Sequence, residues 1–196
     1  VWDYKTWTIL RRFSLLPPET GELAVRPNFL SPRLISPDNR TVVLEEITGQ
    51  NDTGYRLHLA SLETGSEIAA FPVTNPTSRE TKLAIDPTGA FLAVGDRDKN
   101  QVLNLKTMEI VQTFETCSWN NQLIFFDADT LICNDTYDLQ FWNTQSGDRE
   151  YTIRGGQNRS AGIPLFSSDQ KLGAFALDDS GALLELLSRG GSLAAS

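Results

Sequence analysis

Hydrophobic and polar positions follow a unit that recurs four times along the chain. In each unit an apolar stretch enters a polar turn, and a second apolar stretch leaves it. The apolar residues that enter the four turns are Ile35, Ile85, Phe126 and Phe166. Their successive spacings of 50, 41 and 40 residues predict an internal repeat of about 40 residues.

A second marker closes the third apolar stretch of a unit and consists of an apolar residue followed by a small polar one. It occurs at Trp2-Asp3, Ala60-Ser61, Leu103-Asn104, Trp142-Asn143 and Leu187-Ser188. In four cases a large apolar residue follows eleven positions after the first member, at Phe13, Phe71, Phe114 and Ile153. Because the two markers recur together along the chain, they predict that each unit contains four short strands separated by turns.

The unit around the second turn shows the four strands most clearly. They are predicted at Lys82–Ile85, Phe91–Gly95, Val102–Leu105 and Ile110–Phe114. No window keeps a 3.6-residue apolar spacing for three turns without a Pro, Gly or Asx cluster, so almost no helix is expected. A four-stranded repeat of roughly 40–45 residues is typical of a β-propeller blade. The predicted fold class is therefore all-β, a β-propeller built from four-stranded antiparallel blades.

The repeat divides residues 1–196 into blades of a single β-propeller region. Residues 1–13 are predicted to supply the outer strand of a preceding blade. Blades are predicted at 14–71, 72–114 and 115–155, followed by an incomplete last blade at 156–196. About four blades are present, at the lower limit for a closed ring, so a fragment of a larger propeller is favoured over a ring of four.

These residues resemble the WD-repeat family over nearly the whole chain. Asp86-Pro87-Thr88-Gly89 stands in place of that family's Ser-Pro-Asp-Gly turn, and Leu103-Asn104-Leu105-Lys106-Thr107 in place of its Trp-Asp element followed by Thr-Gly. Val1-Trp2-Asp3-Tyr4-Lys5-Thr6 and Trp142-Asn143-Thr144-Gln145-Ser146-Gly147 are closer still. The resemblance implies a non-catalytic scaffold that binds other proteins.

The sequence departs from the WD-repeat pattern in its histidines. The Gly-His pair that often opens a repeat is missing, and the single histidine, His58, lies in an alternating stretch and is predicted to point outward from a strand. The family's Asp–His–Ser/Thr–Trp network is therefore incomplete, and apolar packing between blades is expected to carry more of the stability. The long turn 48–54 and the stretch 61–65 are also similar to propellers of periplasmic and peptidase-associated proteins.

Charge and composition exclude several classes of partner. The net charge is −8, with 17 Lys and Arg against 25 Asp and Glu. The basic residues are scattered, so neither nucleic acid nor an anionic membrane surface is expected as a partner. Cys117 and Cys133 are predicted to be free, partly buried thiols, with a bridge between neighbouring strands as the alternative. No signal peptide is visible, and the compartment is left open with the cytoplasm slightly favoured.

No residue pattern predicts catalysis, a cofactor or a metal. His58 has no nucleophile motif beside it. The acidic pairs Glu45-Glu46 and Asp178-Asp179 alternate across a strand and are interpreted as strand-end charges that discourage edge pairing. The stretch 96–100 begins like a calcium loop but lacks its glycine and its bidentate glutamate, which favours a polar hairpin turn. We therefore expect no catalytic, cofactor-binding or metal-binding residue.

One connection between predicted blades is a candidate binding surface. The stretch 117–122 joins an outermost strand to the next inner strand, and an exposed Trp flanked by amides is suited to anchor a partner. Trp119, Asn120 and Asn121 are the candidate partner-binding residues, and Arg79 in the preceding equivalent connection is a weaker one. The alternative is that Trp119 fills a gap between blades.

The repeat and this connection support two functional hypotheses. The first is a protein–protein interaction scaffold of WD-repeat type, not an enzyme, with a protein or peptide partner that the sequence does not identify. The second is the propeller domain of a multidomain enzyme, such as a hydrolase, a lactonase or a kinase-containing protein, with catalysis elsewhere. The domains encoded beside this segment in the same gene distinguish the two.

Overall fold

The computed structural model of the chain contains strands and turns throughout the part that it describes. The described residues are 2–3, 8–9, 29–48, 54–73, 81–95, 99–115, 122–134, 138–154, 165–166, 172–176 and 184–188. They form 17 β-strands, and no helix occurs among them. The predicted all-β fold class is therefore confirmed.

The chain divides into two compact units, of which the first covers residues 1–79. Its strands β1 (Trp2–Asp3) and β2 (Thr8–Ile9) pair antiparallel and form a sheet of their own. The first four-stranded sheet follows, and its strands are neighbours in chain order. They are β3 (Phe29–Ile35), β4 (Thr41–Thr48), β5 (Gly54–Ser61) and β6 (Glu67–Val73).

The second unit covers residues 80–196 and contains three sheets. The second four-stranded sheet consists of β7 (Lys82–Ile85), β8 (Phe91–Gly95), β9 (Lys99–Asn104) and β10 (Glu109–Glu115). The third consists of β11 (Gln122–Phe125), β12 (Thr130–Asn134), β13 (Asp138–Asn143) and β14 (Arg149–Arg154). The fourth sheet has three strands, β15 (Leu165–Phe166), β16 (Leu172–Ala176) and β17 (Leu184–Ser188). Neighbouring strands are antiparallel throughout, as predicted for blades.

The third sheet is buried on both of its faces. One face packs against the second sheet through a cluster that includes Ala93, Val102, Phe114, Leu131 and Trp142. The first strands of these two sheets, β7 and β11, lie next to each other. A separate buried cluster lies on the opposite face of the third sheet and comprises its own residues Phe126, Ile132, Leu139 and Ile153. Inner strands that are covered on both faces carry nearly continuous apolar sequence, as β12 does.

The small polar residue of the second marker ends the third strand and shapes the turn that follows. In the three four-stranded sheets this residue is Ser61, Asn104 or Asn143. Its side-chain oxygen accepts hydrogen bonds from the backbone N–H groups two and three positions later, at 2.9–3.1 Å. Ser, Asn and Asp favour turns because their short side chains supply this local acceptor. The small polar residue of the marker therefore recurs because each turn requires a side-chain hydrogen-bond acceptor at this position.

The fifth residue of the same turn has left-handed backbone in all three sheets. It is Gly65 in the first sheet and Gly147 in the third, with φ of 73° and 76°. In the second sheet it is Met108, with φ of 62°. A residue with a Cβ atom pays about 1–2 kcal/mol for this conformation, which glycine adopts freely.

Replacing Met108 with glycine is expected to raise the free energy of unfolding by about 0.5–1 kcal/mol. The relief of left-handed strain exceeds the extra entropy that glycine gives the unfolded chain. Urea denaturation measures the change, and the matched control Gly65→Ala is expected to lower stability by a similar amount. A destabilised Met108→Gly variant would contradict this account of the turn.

The outermost strand of each four-stranded sheet carries a β-bulge at the same place in the repeat. Ile68, Val111 and Glu150 are skipped in the pairing with the third strand. Each lies eight positions after the first member of the second marker. A bulge increases the local twist and interrupts the regular edge that another strand needs for pairing. The eleven-residue spacing in the sequence thus reflects one shared hairpin with one shared bulge.

The turn between the first and second strands is closed by a polar side chain in the first two four-stranded sheets. Asp86 is fully buried, and its carboxylate accepts hydrogen bonds from the N–H groups of Phe91 at 2.6 Å and Thr88 at 2.9 Å. Ser36 takes the same place in the first sheet, where its Oγ accepts a hydrogen bond from the N–H of Thr41 at 2.9 Å. Both side chains satisfy backbone donors that the turn leaves unpaired.

In the third turn, the residue equivalent to Ile85 is Phe125 and not the predicted Phe126. The N–H of Phe126 donates to the carbonyl of Thr130, four positions later, at 2.9 Å. The N–H of Asp86 donates to a carbonyl five positions later, at 3.0 Å. Phe126 therefore corresponds to Asp86, and Phe125 corresponds to Ile85. The prediction was wrong by one residue in this unit because its turn is one residue shorter.

Asp38 lies in the first of these turns and is expected to respond to mutation of Ser36. The Ser36 hydroxyl donates to its Oδ1 at 2.6 Å, and the Arg40 N–H donates to it at 3.0 Å. These bonds lower the pKa of Asp38 below its ordinary value of 3.8. The ionised carboxylate therefore stabilises the fold above that pH, and this contribution is lost as pH falls through the lowered value. In an NMR titration Ser36→Ala should raise the pKa of Asp38, and an unchanged midpoint would contradict the assignment.

Candidate partner-binding surface

Each four-stranded sheet has two different ends. The turn between strands one and two and the turn between strands three and four share one end, here called the turn end. The turn between strands two and three and the connection to the next sheet share the other, here called the connection end. At the turn end one backbone hydrogen bond of 2.7–2.8 Å joins the two turns in every case, from Leu62 to Arg40, from Leu105 to Ala90 and from Thr144 to Asp129. The turn ends are thus built alike.

The four candidate binding residues lie in connections, outside the described residues. Arg79 belongs to the connection that follows the first sheet. Trp119, Asn120 and Asn121 belong to the connection 116–121, which follows the second sheet. Their binding roles stay predictions. The described residues do show how the connection 116–121 is attached to the two sheets that it joins.

The strand that enters this connection is held by a buried amide. Asn100 on β9 is fully buried, and its Nδ2 donates to the backbone carbonyl of Glu115, the last residue of β10, at 3.0 Å. The preceding residue, Phe114, stacks on Trp142 of the third sheet, with ring centroids 5.2 Å apart and planes 15° apart. The end of β10 is therefore attached both to its own sheet and to the next one.

The strand that leaves the connection lies directly on the second sheet. Leu123 of β11 is buried, and its Cδ1 is 2.8 Å from the position that a Cβ atom would take at Gly95. The same Cβ atom would lie 2.7 Å from Oδ1 of Asn100. Real Cβ atoms do not approach other atoms so closely, so a larger residue at this position would force the side chain of Leu123 or Asn100 to shift.

A disulfide bond provides a third attachment. Cys133 on β12 is 0% exposed and is disulfide-bonded. The sequence contains one other cysteine, Cys117, so the bridge joins the connection 116–121 to the core of the third sheet. The prediction of two free thiols is wrong. Cys133 lies on the face of β12 that packs against the second sheet, the sheet from which this connection comes.

The outer strands expose large apolar side chains that the sequence analysis did not single out. They are Ile68 on β6, Ile110 and Val111 on β10, and Tyr151 on β14. Two of them, Ile68 and Val111, are the bulge residues themselves. The eight-residue spacing from the second marker identifies these two positions in the sequence once the bulge is known.

The single histidine joins three strands of the first sheet. Nε2 of His58 on β5 lies 2.8 Å from Oε2 of Glu46 on β4, and Nδ1 lies 2.6 Å from Oε2 of Glu67 on β6. The side chain of His58 is 15% exposed and lies on the opposite face of β5 from the buried Leu57 and Leu59, where two carboxylates hold its ring across the sheet. The arrangement links neighbouring strands, and both ring nitrogens are occupied by these contacts.

Glu45, on the same strand, is buried rather than exposed at a strand end. Its side chain is 3% exposed and accepts a hydrogen bond from Nη1 of Arg33 at 3.0 Å. Glu45 and Glu46 lie within β4, so their interpretation as strand-end charges is wrong. A carboxylate so far removed from water requires a cation beside it, which Arg33 supplies.

Two kinds of site are not found in the part of the chain that the structure describes. No group of three or more His, Cys, Asp and Glu side chains there is placed to hold a metal ion. No helix in the same part is long and apolar enough to cross a membrane.

Comparison with known proteins shows the fold. No protein-family model and no curated protein matches the chain. The solved structure of BamB from Moraxella catarrhalis matches 86% of this chain and 51% of that chain, with 17% identity and a TM-score of 0.56. Hydrazine synthase from Kuenenia stuttgartiensis matches over 88% of this chain and 49% of that one, with 16% identity and a TM-score of 0.57. The chain thus spans about half the length of each, and its sheets are the blades of a β-propeller fold.

Proposed function

We propose that this chain is a non-catalytic interaction scaffold within a larger β-propeller protein, of the WD-repeat type that its repeat resembles. Its partner is a protein or peptide that binds at the connection end of the second and third sheets. Trp119, Asn120 and Asn121 supply the contacts, and Arg79 contributes from the preceding connection. Loops that a rigid scaffold positions are the usual carriers of binding function.

The observation that carries this proposal is the attachment of the connection 116–121. Its ends are fixed by the hydrogen bond from Asn100 to Glu115 and by the packing of Leu123 against Gly95. The disulfide bond of Cys133 attaches it a third time. Fixed ends limit the conformations open to a connection before binding, so it loses less conformational entropy when a partner arrives.

The residue types in this connection suit recognition of a protein. Trp is enriched among residues that dominate binding energy, because one rigid side chain buries a large apolar area and also donates a hydrogen bond. The amides of Asn120 and Asn121 offer donors and acceptors to a backbone partner. A net charge of −8 favours a partner surface that is neutral or basic.

The test is affinity capture and quantitative proteomics with the full-length parent, comparing wild type with Trp119→Ala. The matched control is Tyr151→Ala, which removes an exposed aromatic side chain from the outer strand β14. We expect at least one captured protein to fall about tenfold or more with Trp119→Ala and to stay unchanged with Tyr151→Ala. Purified partner and parent then give the dissociation constants directly.

Two results would overturn the proposal. The first is an identical set of captured proteins for wild type and Trp119→Ala, when both variants melt within about 2 °C of wild type. The second is a Trp119→Ala variant that is strongly destabilised, which places the indole between blades rather than on the surface. A stability change of about 2 kcal/mol or more is expected for a buried Trp but not for an exposed one.

A second candidate function is the propeller domain of a multidomain enzyme with catalysis elsewhere. Half of a hydrazine synthase chain has the same fold, so a domain of this fold can form part of an enzyme. This candidate predicts that the full-length parent turns over a substrate and that Trp119→Ala leaves the rate unchanged. The scaffold proposal predicts loss of a partner with that same variant.

A further inference from the structure

We infer that this chain matures in an oxidising compartment, where a disulfide-donating oxidant acts on Cys117 and Cys133 before the second and third sheets close on each other. The inference is independent of the partner proposed above. It concerns the covalent state of the chain and names the class of reaction that must precede the folded form.

The burial of Cys133 favours oxidation before the two sheets pack together. Its side chain is 0% exposed and belongs to the apolar cluster between the second and third sheets, together with Leu123, Leu131 and Trp142. Thiol–disulfide exchange requires attack on an accessible sulfur. An oxidant therefore cannot reach Cys133 directly once this cluster has formed, so we expect the bond to form faster in the unfolded or partly folded chain.

The reaction is a transfer of two electrons to an external disulfide. The thiolate of one cysteine attacks the oxidant and forms a mixed disulfide, releasing one thiol of the oxidant. The thiolate of the other cysteine then attacks the cysteine sulfur of that mixed disulfide and releases the second thiol. The chain loses two protons and two electrons, and the oxidant, a protein or small-molecule disulfide, gains them as a dithiol or as two thiols.

The compartment follows from the persistence of the bond. Cytosolic reductants keep thiols reduced, whereas the periplasm, the endoplasmic reticulum and the extracellular space allow disulfides to form and persist. A newly made chain in a reducing compartment would bury Cys133 as a thiol. Both cysteines of the sequence are used in the bridge, and none remains for transient redox chemistry. Burial of the Cys133 sulfur shields it from attack by reductants, so we expect the bond to persist once formed.

The test is thiol alkylation of the full-length parent isolated from its natural source into denaturant that contains iodoacetamide. We expect no alkylation of Cys117 or Cys133 without reductant, alkylation of both after reduction, and a linked peptide pair in the unreduced digest. The Cys117→Ser variant is the control, in which Cys133 should be alkylated without reductant. Alkylation of both cysteines in unreduced wild type from the natural source would overturn the inference.

A second measurement addresses the order of events. Wild type is refolded from the reduced, denatured state without an oxidant, and oxidised glutathione is added before or after refolding. We expect the bond to form at least about tenfold faster when the oxidant is present from the start. Equal rates of bond formation in the two orders would contradict oxidation before burial.

Discussion

Trp142→Ala is expected to lower the free energy of unfolding of the second unit by about 3–5 kcal/mol. Trp142 is 7% exposed and lies in the cluster between the second and third sheets, stacked on Phe114. Removal of the indole leaves a cavity whose walls belong to two different sheets. Neither sheet can shift to fill the cavity without losing hydrogen bonds between its own strands. Its Nε1 has no hydrogen-bond partner among the described residues, so the loss arises from packing and from the contact of the ring with the Arg149 guanidinium, 5.9 Å from its centroid.

Urea denaturation followed by far-UV circular dichroism measures this change, and Tyr151→Ala is its control. Tyr151 lies on the outer strand of the same sheet and is 48% exposed. We expect its loss to cost less than about 1 kcal/mol. Equal effects of the two variants would contradict the packing of the third sheet against the second.

Arg33→Ala is expected to cost about 2–3 kcal/mol, the second largest effect. It removes the cation from Glu45, whose side chain is 3% exposed and whose Oε1 accepts no hydrogen bond within the described part of the chain. Breaking a buried ion pair typically costs about 3–5 kcal/mol. The smaller figure allows for the Arg33 side chain, which is 32% exposed and therefore partly screened by solvent.

The double variant Arg33→Met/Glu45→Leu distinguishes two contributions to the free energy of unfolding. One is the destabilisation by an unpaired buried charge, and the other is the net stabilisation by the ion pair. We expect its stability to lie within about 1 kcal/mol of wild type, because replacing a buried ion pair with apolar side chains is often neutral. Chemical denaturation of the wild type, the single variant and the double variant gives the comparison. A double variant as unstable as Arg33→Ala would show that the lost packing of Arg33, not the charge of Glu45, is responsible.

The fold class was predictable because the backbone of each sheet needs the same residue types at the same turn positions, and these residues recur along the sequence. Each four-stranded sheet needs a side-chain acceptor at the end of its third strand, at Ser61, Asn104 and Asn143. It also needs a fixed number of residues to pass the turn and the bulge. Both requirements are local, so the corresponding residues recur at a fixed spacing in the sequence.

Burial was less predictable, because it depends on which sheet covers each position. Ile35 and Phe125 occupy equivalent places in the repeat, yet Ile35 is 57% exposed and Phe125 is 3% exposed. The bridge of Cys133 and the burial of Glu45 were missed for the same reason. Each depends on one side-chain contact within a single repeat length, Arg33 with Glu45 and Cys117 with Cys133, which a spacing of 40 residues does not encode.

The candidate site was predictable only in its position. The sequence placed Trp119, Asn120 and Asn121 in a connection between an outermost strand and the next inner strand, and β10 and β11 do flank them. The attachments of that connection were not visible. Gly95 and Asn100 contact the residues at its two ends because they lie on β8 and β9, beside those ends. A single Gly or Asn in the sequence does not predict such a contact.

The packing of consecutive repeats face to face is tested most directly by a double-mutant cycle between Phe114 and Trp142. The variants are Phe114→Leu, Trp142→Leu and the double variant, each measured by urea denaturation. Stacked rings at 5.2 Å predict a coupling energy of about 0.5–1.5 kcal/mol between the two sheets. Effects that add to within about 0.3 kcal/mol would mean that the rings do not meet, and would contradict the account.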